Sequence, residues 1–304
     1  MIELTGKKYL VTGGAGFIGS HICEELLKQD KKVICVDSLV AGKRDNIQDF
    51  FANPKFKFME EDIVFLSPKA FEGVDVVFNN AASKCTVCRN DPQKDLIVNA
   101  WGAWNVFHRS QETGVKKVVH ASTGSVLNGK PKSFYGVSKL AGEAYLGAFK
   151  DYWDDFTYTI LRYYHVFGPR QEHSDKGGVI PIFIRRLLND QSIIVFGDGL
   201  QVRHFTHVKD VVNANFLAAE NSHTDNEDYE ILSDVTITIL KLAETLQDLL
   251  EKNTGIIFQP RRSGDIDKFP VNNQKIKALG FDFESDFKGK LLETVEWYAK
   301  ELHH

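Results

Sequence analysis

Apolar residues in the first half of the chain fall into short β-rich runs separated by longer stretches of helical period. The strand-like runs are residues 8–12, 32–37, 56–60, 74–79 and 117–121, and residues 156–167 read as a sixth strand. Amphipathic stretches at 16–29, 92–112 and 133–153 alternate with them. Strands alternating with helices in this way predict βαβ units and an α/β fold with a doubly wound parallel sheet. After about residue 168 the rhythm changes: Gly, Pro and Arg become frequent and the strands shorten. Helices are expected there at 208–220, 237–252 and 291–302. This half reads as a smaller α/β cap at the carboxyl edge of the sheet, where open α/β sheets bind ligands.

The first apolar run leads into Thr12-Gly13-Gly14-Ala15-Gly16-Phe17-Ile18-Gly19, which satisfies GxGxxG through Gly14, Gly16 and Gly19 and GxxGxxG through Gly13, Gly16 and Gly19. Glycines after a strand and at the start of an amphipathic helix make a tight turn that lets a pyrophosphate approach the backbone. This context makes the sheet Rossmann-type and the cofactor a dinucleotide. The second strand ends in Asp37, at the distance where a carboxylate accepts the adenosine ribose hydroxyls and repels a 2′-phosphate. NAD is therefore preferred to NADP, although Lys43 and Arg44 blur that preference.

Tyr135 and Lys139 form YxxxK, an i,i+4 pair on one helix face. A phenol is a poor base near neutrality, and a neighbouring ammonium lowers its pKa. The same lysine is suited to hold a nicotinamide ribose. Ser122-Thr123 ends the fifth run and supplies hydroxyls beside this pair.

Taken together, Thr12–Gly19, Asp37, Asp62-Ile63, Asn80-Ala81-Ala82, Val98-Asn99-Ala100-Trp101-Gly102, Ser122-Thr123, the 135–139 pair, 162–171 and 196–210 stand in an order that resembles the extended short-chain dehydrogenases/reductases. The similarity is to the branch of NAD-dependent nucleotide-sugar epimerases and dehydratases, of the UDP-glucose 4-epimerase type. It implies an NAD-binding Rossmann domain over 1–168 carrying Tyr135 and Lys139, and a smaller nucleotide-sugar-binding region over 169–304, with segments free to interleave. Asp62 and Ile63 are implied at the adenine, Ala81 and Ala82 along the cofactor, Asn99 near the catalytic helix, and Tyr163 at the nicotinamide. Without the family, Asn99 reads equally as a helix residue satisfying backbone groups, and Asp62 as a turn former.

The family's 4,6-dehydratases carry an Asp-Glu pair after the threonine, and its UDP-glucuronate decarboxylases an acid at the second of those positions. Here the two are Gly124 and Ser125. Dehydration and decarboxylation are therefore not expected. The expected reaction is epimerisation at one sugar carbon: Thr123, or less directly Ser122, binds the sugar hydroxyl, Tyr135 takes its proton and NAD takes a hydride. The 4-ketosugar then turns over and is reduced on its other face. Two alternatives stay open: a nucleotide-sugar dehydrogenase or ketoreductase, and a catalytically silent NAD-binding regulator.

The resemblance also assigns the substrate side. Val179 lies in the expected nucleotide clamp, Arg203 and Arg262 pair with the diphosphate, and Asp265 takes a ribose hydroxyl. Lys84 and Thr86 are candidate sugar contacts in the loop after the fourth strand. His165 replaces an Asn that touches the diphosphate in the family, and His204 replaces a frequent Asp. The stretch before Tyr135 is short, which opens the sugar pocket to a bulkier or charged sugar. The family's dimer interface is built by the Asn99 and Tyr135 helices, so a homodimer is expected.

Composition narrows the remaining classes. With 37 Lys+Arg against 41 Asp+Glu the net charge is −4, which argues against nucleic acid or an anionic membrane as the main partner, since both need a concentrated basic face. Charges interrupt every apolar run and the N-terminus lacks a signal peptide's apolar core, so a reduced, cytoplasmic protein is expected. Cys85 and Cys88 form a CxxC with no second pair or His partner, and no metal is expected.

Overall fold

The computed structural model describes residues 2–83, 91–175, 177–261 and 271–302. Its strands are β1 Lys8–Thr12, β2 Lys32–Val36, β3 Phe56–Met59, β4 Val76–Asn79, β5 Lys117–Thr123, β6 Tyr158–Tyr163, β7 Val166–Phe167, β8 Ile193–Phe196, β9 Val202–His204, β10 Thr206–His207, β11 Glu227–Ile231, β12 Thr236–Thr238 and β13 Ile256–Gln259. Its principal helices are α1 Phe17–Lys28, α2 Ala103–Glu112, α3 Phe134–Tyr152, α4 Val179–Leu188, α5 Val208–Glu220, α6 Ile239–Leu249 and α7 Phe287–Leu302. No helix among the described residues is long and apolar enough to cross a membrane.

Seven strands form one sheet in the order β11-β6-β5-β4-β1-β2-β3. The pairings β1 with β2 and β4, β2 with β3, β4 with β5 and β5 with β6 are parallel. At the outer edge Asn226 N donates to Tyr158 O and Tyr164 N donates to Ile231 O, so β11 runs the same way as β6. This is the Rossmann-type α/β architecture that the alternation of strands and helices predicts. Register aligns the carboxyl ends: Thr12 pairs with both Val36 and Asn79, and Thr123 with Tyr163. The turns that follow these residues therefore open along one edge of the sheet.

The chain separates into two compact units, Met1–Tyr163 with Val211–Glu230, and Tyr164–Asp210 with Ile231–His304. The first buries Leu10, Val77, Val118, Phe107, Leu146 and Phe149 between sheet and helices. The second has its own core of Phe167, Ile184, Val195, Leu242, Val295 and Tyr298.

Four elements differ from the sequence expectation. The sixth run is broken into β6 and β7, because His165 sits at φ 35° in the left-handed region and ends the pleat. The 92–112 stretch is helical but contains a π-helical segment, Asp95–Gly102, between Pro92–Lys94 and α2. The helix expected from 237 starts at Ile239, since Thr236–Thr238 pair with β9 and the Thr238 hydroxyl caps Lys241 N at 3.1 Å. Val179–Leu188, read as a clamp segment, is a full helix.

Candidate active site

The glycine turn follows from β1 meeting α1 with no room for side chains. Gly13 has φ +64°, and a Cβ there would lie 2.8 Å from Ala81 N. A Cβ on Gly16 would lie 3.0 Å from Gly13 O, and one on Gly19 only 2.2 Å from it. Gly16 caps α1 without any side-chain acceptor, so the first N–H groups of the helix and its positive dipole end carry no side-chain partner. A bare cradle ending in a helix N-terminus fits a pyrophosphate. Phe17 and Ile18, half-buried, begin α1.

Asp37 is 8% exposed just past β2. Its Oδ2 accepts from Ala15 N at 3.0 Å and its Oδ1 from Leu39 N at 2.8 Å. Burial raises its pKa, and the N–H groups of Leu39, Ala15 and Gly16 oppose that. The carboxylate thus accepts from the backbone of the glycine turn, and its position suits a ribose. Arg44 is turned to Glu60 at 3.2 Å and lies over the rings of Phe51 and Phe58.

Asp62 Oδ1 accepts from Val64 N at 2.9 Å, a turn-forming role. Ile63 is 3% exposed and belongs to the core, with its carbonyl held by Asn105 Nδ2 at 2.7 Å. Ala81 N donates to Thr12 Oγ1 at 3.1 Å, and Ala82 follows it, half-buried. Asn99 does not serve its own helix. Its Oδ1 accepts from Ser83 N at 2.7 Å, and its Nδ2 donates to Ser138 Oγ at 3.1 Å. It clamps the chain after β4 to the helix that carries Tyr135.

That helix starts where Ser133 Oγ accepts from Gly136 N at 3.0 Å. Tyr135, half-buried, is in its first turn, and Lys139 one turn later is 2% exposed. Lys139 Nζ donates to Ala121 O at 2.9 Å, which brings the ammonium to the carboxyl end of β5. Burial pushes its pKa down to about 8, against the opposing charges of Glu143 and Asp95. Thr123 is half-buried at that strand end, and its hydroxyl is bonded to its neighbour Ser125. Ser122 points the other way: it is 4% exposed and donates to Glu143. Tyr163 Oη accepts from Asn215 Nδ2 at 2.8 Å.

In the second unit, Arg203 on β9 is 8% exposed and donates to Val202 O at 2.9 Å. Burial, together with the charges of Arg203 and His204, pushes the His165 imidazole down to about 4, so it is neutral. Val179 is the first residue of α4, whose N-cap Gly178 offers no side-chain acceptor. Lys84, Arg262, Asp265 and the pair Cys85 and Cys88 lie outside the described residues.

Sequence reasoning missed Glu143, Asn215, His120 and Asp95. Glu143 had a signal, the i,i+4 step beyond Lys139. His120 lies fully buried on β5 with Nδ1 accepting from Asn79 Nδ2 at 3.1 Å, and it read as an ordinary strand position.

A family model described as NAD dependent epimerase/dehydratase family matches residues 9–231. A putative UDP-glucose 4-epimerase of Methanocaldococcus jannaschii is 34% identical over 95% of this chain and 97% of its own length. The crystal structure of UDP-glucose 4-epimerase with UDP-glucose from Thermotoga maritima superimposes with a TM-score of 0.91 at 33% identity, covering 97% of this chain and 99% of that one. The exclusion of dehydration and decarboxylation drawn from Gly124 and Ser125 is corrected by two further relatives. A dTDP-D-glucose 4,6-dehydratase of Mus musculus is 28% identical over 98% of this chain and 90% of its own length. A UDP-glucuronic acid decarboxylase of Arabidopsis thaliana is 28% identical over 91% of this chain and 65% of its own length. Two neighbouring positions do not decide the reaction, since relatives named for dehydration and decarboxylation match nearly the whole of this chain. With the glycine cradle, the Asp37 carboxylate and the Tyr135–Lys139 helix in this order, and the family model spanning most of the chain, the protein belongs to the NAD-dependent epimerase/dehydratase family.

Proposed function

We propose that the chain is a nucleotide-sugar 4-epimerase in which Tyr135 is the acid/base. The observation that carries this reading is Lys139: a buried ammonium, bonded to Ala121 O at 2.9 Å, one helical turn from Tyr135 and at the strand end that presents Thr123. The names of the relatives support the substrate class.

The glycine cradle at Gly13–Gly19 holds the pyrophosphate of NAD, and Asp37 holds the adenosine ribose. Asp62, Ile63, Ala81, Ala82, Asn99 and Tyr163 are assigned to the rest of the cofactor's path. NAD, when bound, supplies a hydride acceptor that also returns the hydride. Thr123 orients the sugar hydroxyl. Tyr135 Oη removes its proton, and the Lys139 ammonium stabilises the resulting phenolate, whose pKa is otherwise near 10. After the ketosugar has turned over, Tyr135 Oη gives the proton back. Substrate roles are assigned to His165, Val179 and Arg203, and to Lys84, Arg262 and Asp265. The homodimer assignment is supported by Leu96, Trp101 and Tyr145, apolar side chains exposed on the Asp95–Gly102 segment and α3.

Mass spectrometry of small molecules released on denaturation, followed by incubation with a panel of nucleotide sugars, tests the reading. Bound NAD and a mass-neutral change in one sugar are expected. A two-hydrogen change assigns a dehydrogenase or ketoreductase, and loss of water or carbon dioxide assigns the reactions of the other relatives. No cofactor and no conversion assigns a silent binding protein. Tyr135→Phe is expected to lower turnover by about 10²-fold or more while NAD stays bound.

A further inference from the structure

Asp95 is 0% exposed, and neither carboxylate oxygen has a hydrogen-bond partner among the described residues. A buried carboxylate is costly to keep charged without hydrogen bonds, and it persists where an opposite charge compensates it. Asp95 opens the π-helical segment Asp95–Gly102, a rare geometry often found at functional sites. This segment is fastened to α3 at Asn99, whose Nδ2 donates to Ser138 Oγ at 3.1 Å, one residue before Lys139. Asn99 O would also lie 3.5 Å from a Cβ at Gly142, so the two backbones are close. Asp95 lies about one turn before Asn99, and its charge, after the larger one of Glu143, opposes the fall in the Lys139 pKa that burial causes.

The other groups around Lys139 do not fill this role. Glu143, on its own helix, is the larger charge opposing the fall in the Lys139 pKa, but it also accepts from Arg162 Nε at 2.9 Å and Nη2 at 2.6 Å and from Ser122, so its charge is shared. His120 on β5 is held neutral by burial and by Lys139 itself. Tyr135 is the group to be activated. Of the two carboxylates whose charges act on Lys139, Asp95 is the one with no hydrogen-bond partner among the described residues.

We infer that Asp95 is the buried counter-charge of Lys139, a positioning residue that keeps the ammonium charged and aimed beside Tyr135. The inference rests on the acid/base reading above. The pH dependence has a definite sign. Removing the Asp95 charge lets Lys139 lose its proton at lower pH, and Tyr135, losing a cation, ionises at higher pH.

The test is a tyrosinate absorbance titration of the NAD-loaded protein, read as the difference from Tyr135→Phe. Asp95→Asn is expected to raise the Tyr135 midpoint by about one pH unit and to move the acid limb of turnover equally. Asp95→Glu, which keeps the charge, is expected to restore most of the parental midpoint. An unchanged midpoint in folded Asp95→Asn overturns the inference, as does an Asp95→Glu shift as large as that of Asn. If Asp95→Asn does not fold, it is combined with Lys139→Met. A counter-charge is dispensable once the ammonium is gone, so the double variant is expected to fold, and one as unstable as Asp95→Asn alone overturns the inference. The two readings fail separately. Parental turnover in Tyr135→Phe removes the acid/base assignment, whereas an inactive Tyr135→Phe with an unmoved Asp95→Asn removes only the role of Asp95.

Discussion

Arg162 grips both oxygens of Glu143, from Nε at 2.9 Å and Nη2 at 2.6 Å, while its Nη1 binds Asp228 at 2.7 Å. One guanidinium thereby ties α3 to β6 and β11, and Glu143 in turn receives the hydroxyl of Ser122 on β5. The bidentate geometry suits a planar fork, which a lysine cannot reproduce. This joint fixes the helix that carries Tyr135 and Lys139 against the strand that ends in Thr123.

Arg162→Met leaves the Glu143 carboxylate, whose side chain is 6% exposed, buried with only a hydroxyl donor. A broken buried pair costs about 3–5 kcal/mol, which urea unfolding would record as a matching loss of stability. A loss below about 1 kcal/mol would mean that the pair behaves as a solvated surface contact.

Asp37→Asn keeps the shape but presents an amide to the N–H groups of Ala15 and Leu39, which now donate to a carboxylate. NAD affinity is expected to fall about tenfold or more, since hydrogen bonds to a charged acceptor are lost, and discrimination against NADP to relax. Calorimetric titration with both dinucleotides measures each effect. Unaltered preference for NAD would move the ribose assignment elsewhere.

Burial pushes the Asp210 carboxyl up to about 6, above the unfolded value near 3.9, with the Glu284 N–H opposing the rise. The sign follows from linkage. Stability contributed by this group is fully present below about pH 4 and is lost as pH rises through about 6, because the folded state then carries a poorly solvated charge. Asp210→Asn is therefore expected to be more stable than the parent by about 2 kcal/mol near pH 7.5, with the gain fading toward pH 4. Urea unfolding across that range checks it; a gain independent of pH would contradict it.

Trp101 is 52% exposed and stacks on Trp104 with ring centroids 5.0 Å apart. If the Asp95–Gly102 and α3 faces form a homodimer, Trp101→Glu places a charge in a desolvated patch, and sedimentation velocity is expected to show monomer where the parent is dimeric. A variant that sediments as the parent does would exclude this face.

Much of the first unit was legible because its signals are local. Gly13, Gly16 and Gly19 report a turn in which side chains have no room, and the Cβ approaches of 2.2–3.0 Å bear that out. Alternating strands and helices gave the parallel sheet, whose central strands are apolar because helices cover both faces. The π-helical segment left no trace in periodicity, since a few residues of wider winding barely perturb a 3.6-residue pattern. His165 ended the sixth run through a backbone angle that residue type does not announce.

The sequence by itself determined the phosphate cradle, the acid after β2 and the tyrosine and lysine one turn apart, because each depends on residues close in the chain. Only the tertiary structure decided which groups act on them. Glu143 is bound by Arg162 and Ser122, Asn99 spans from Ser83 to Ser138, and Asp95 is fully buried on the segment that Asn99 fastens to the Lys139 helix. Apart from Glu143's step from Lys139, those relations join residues from 16 to 44 positions apart. Burial and charge at such distances are set by how helices and strands pack, and packing is not written in any local run of residues.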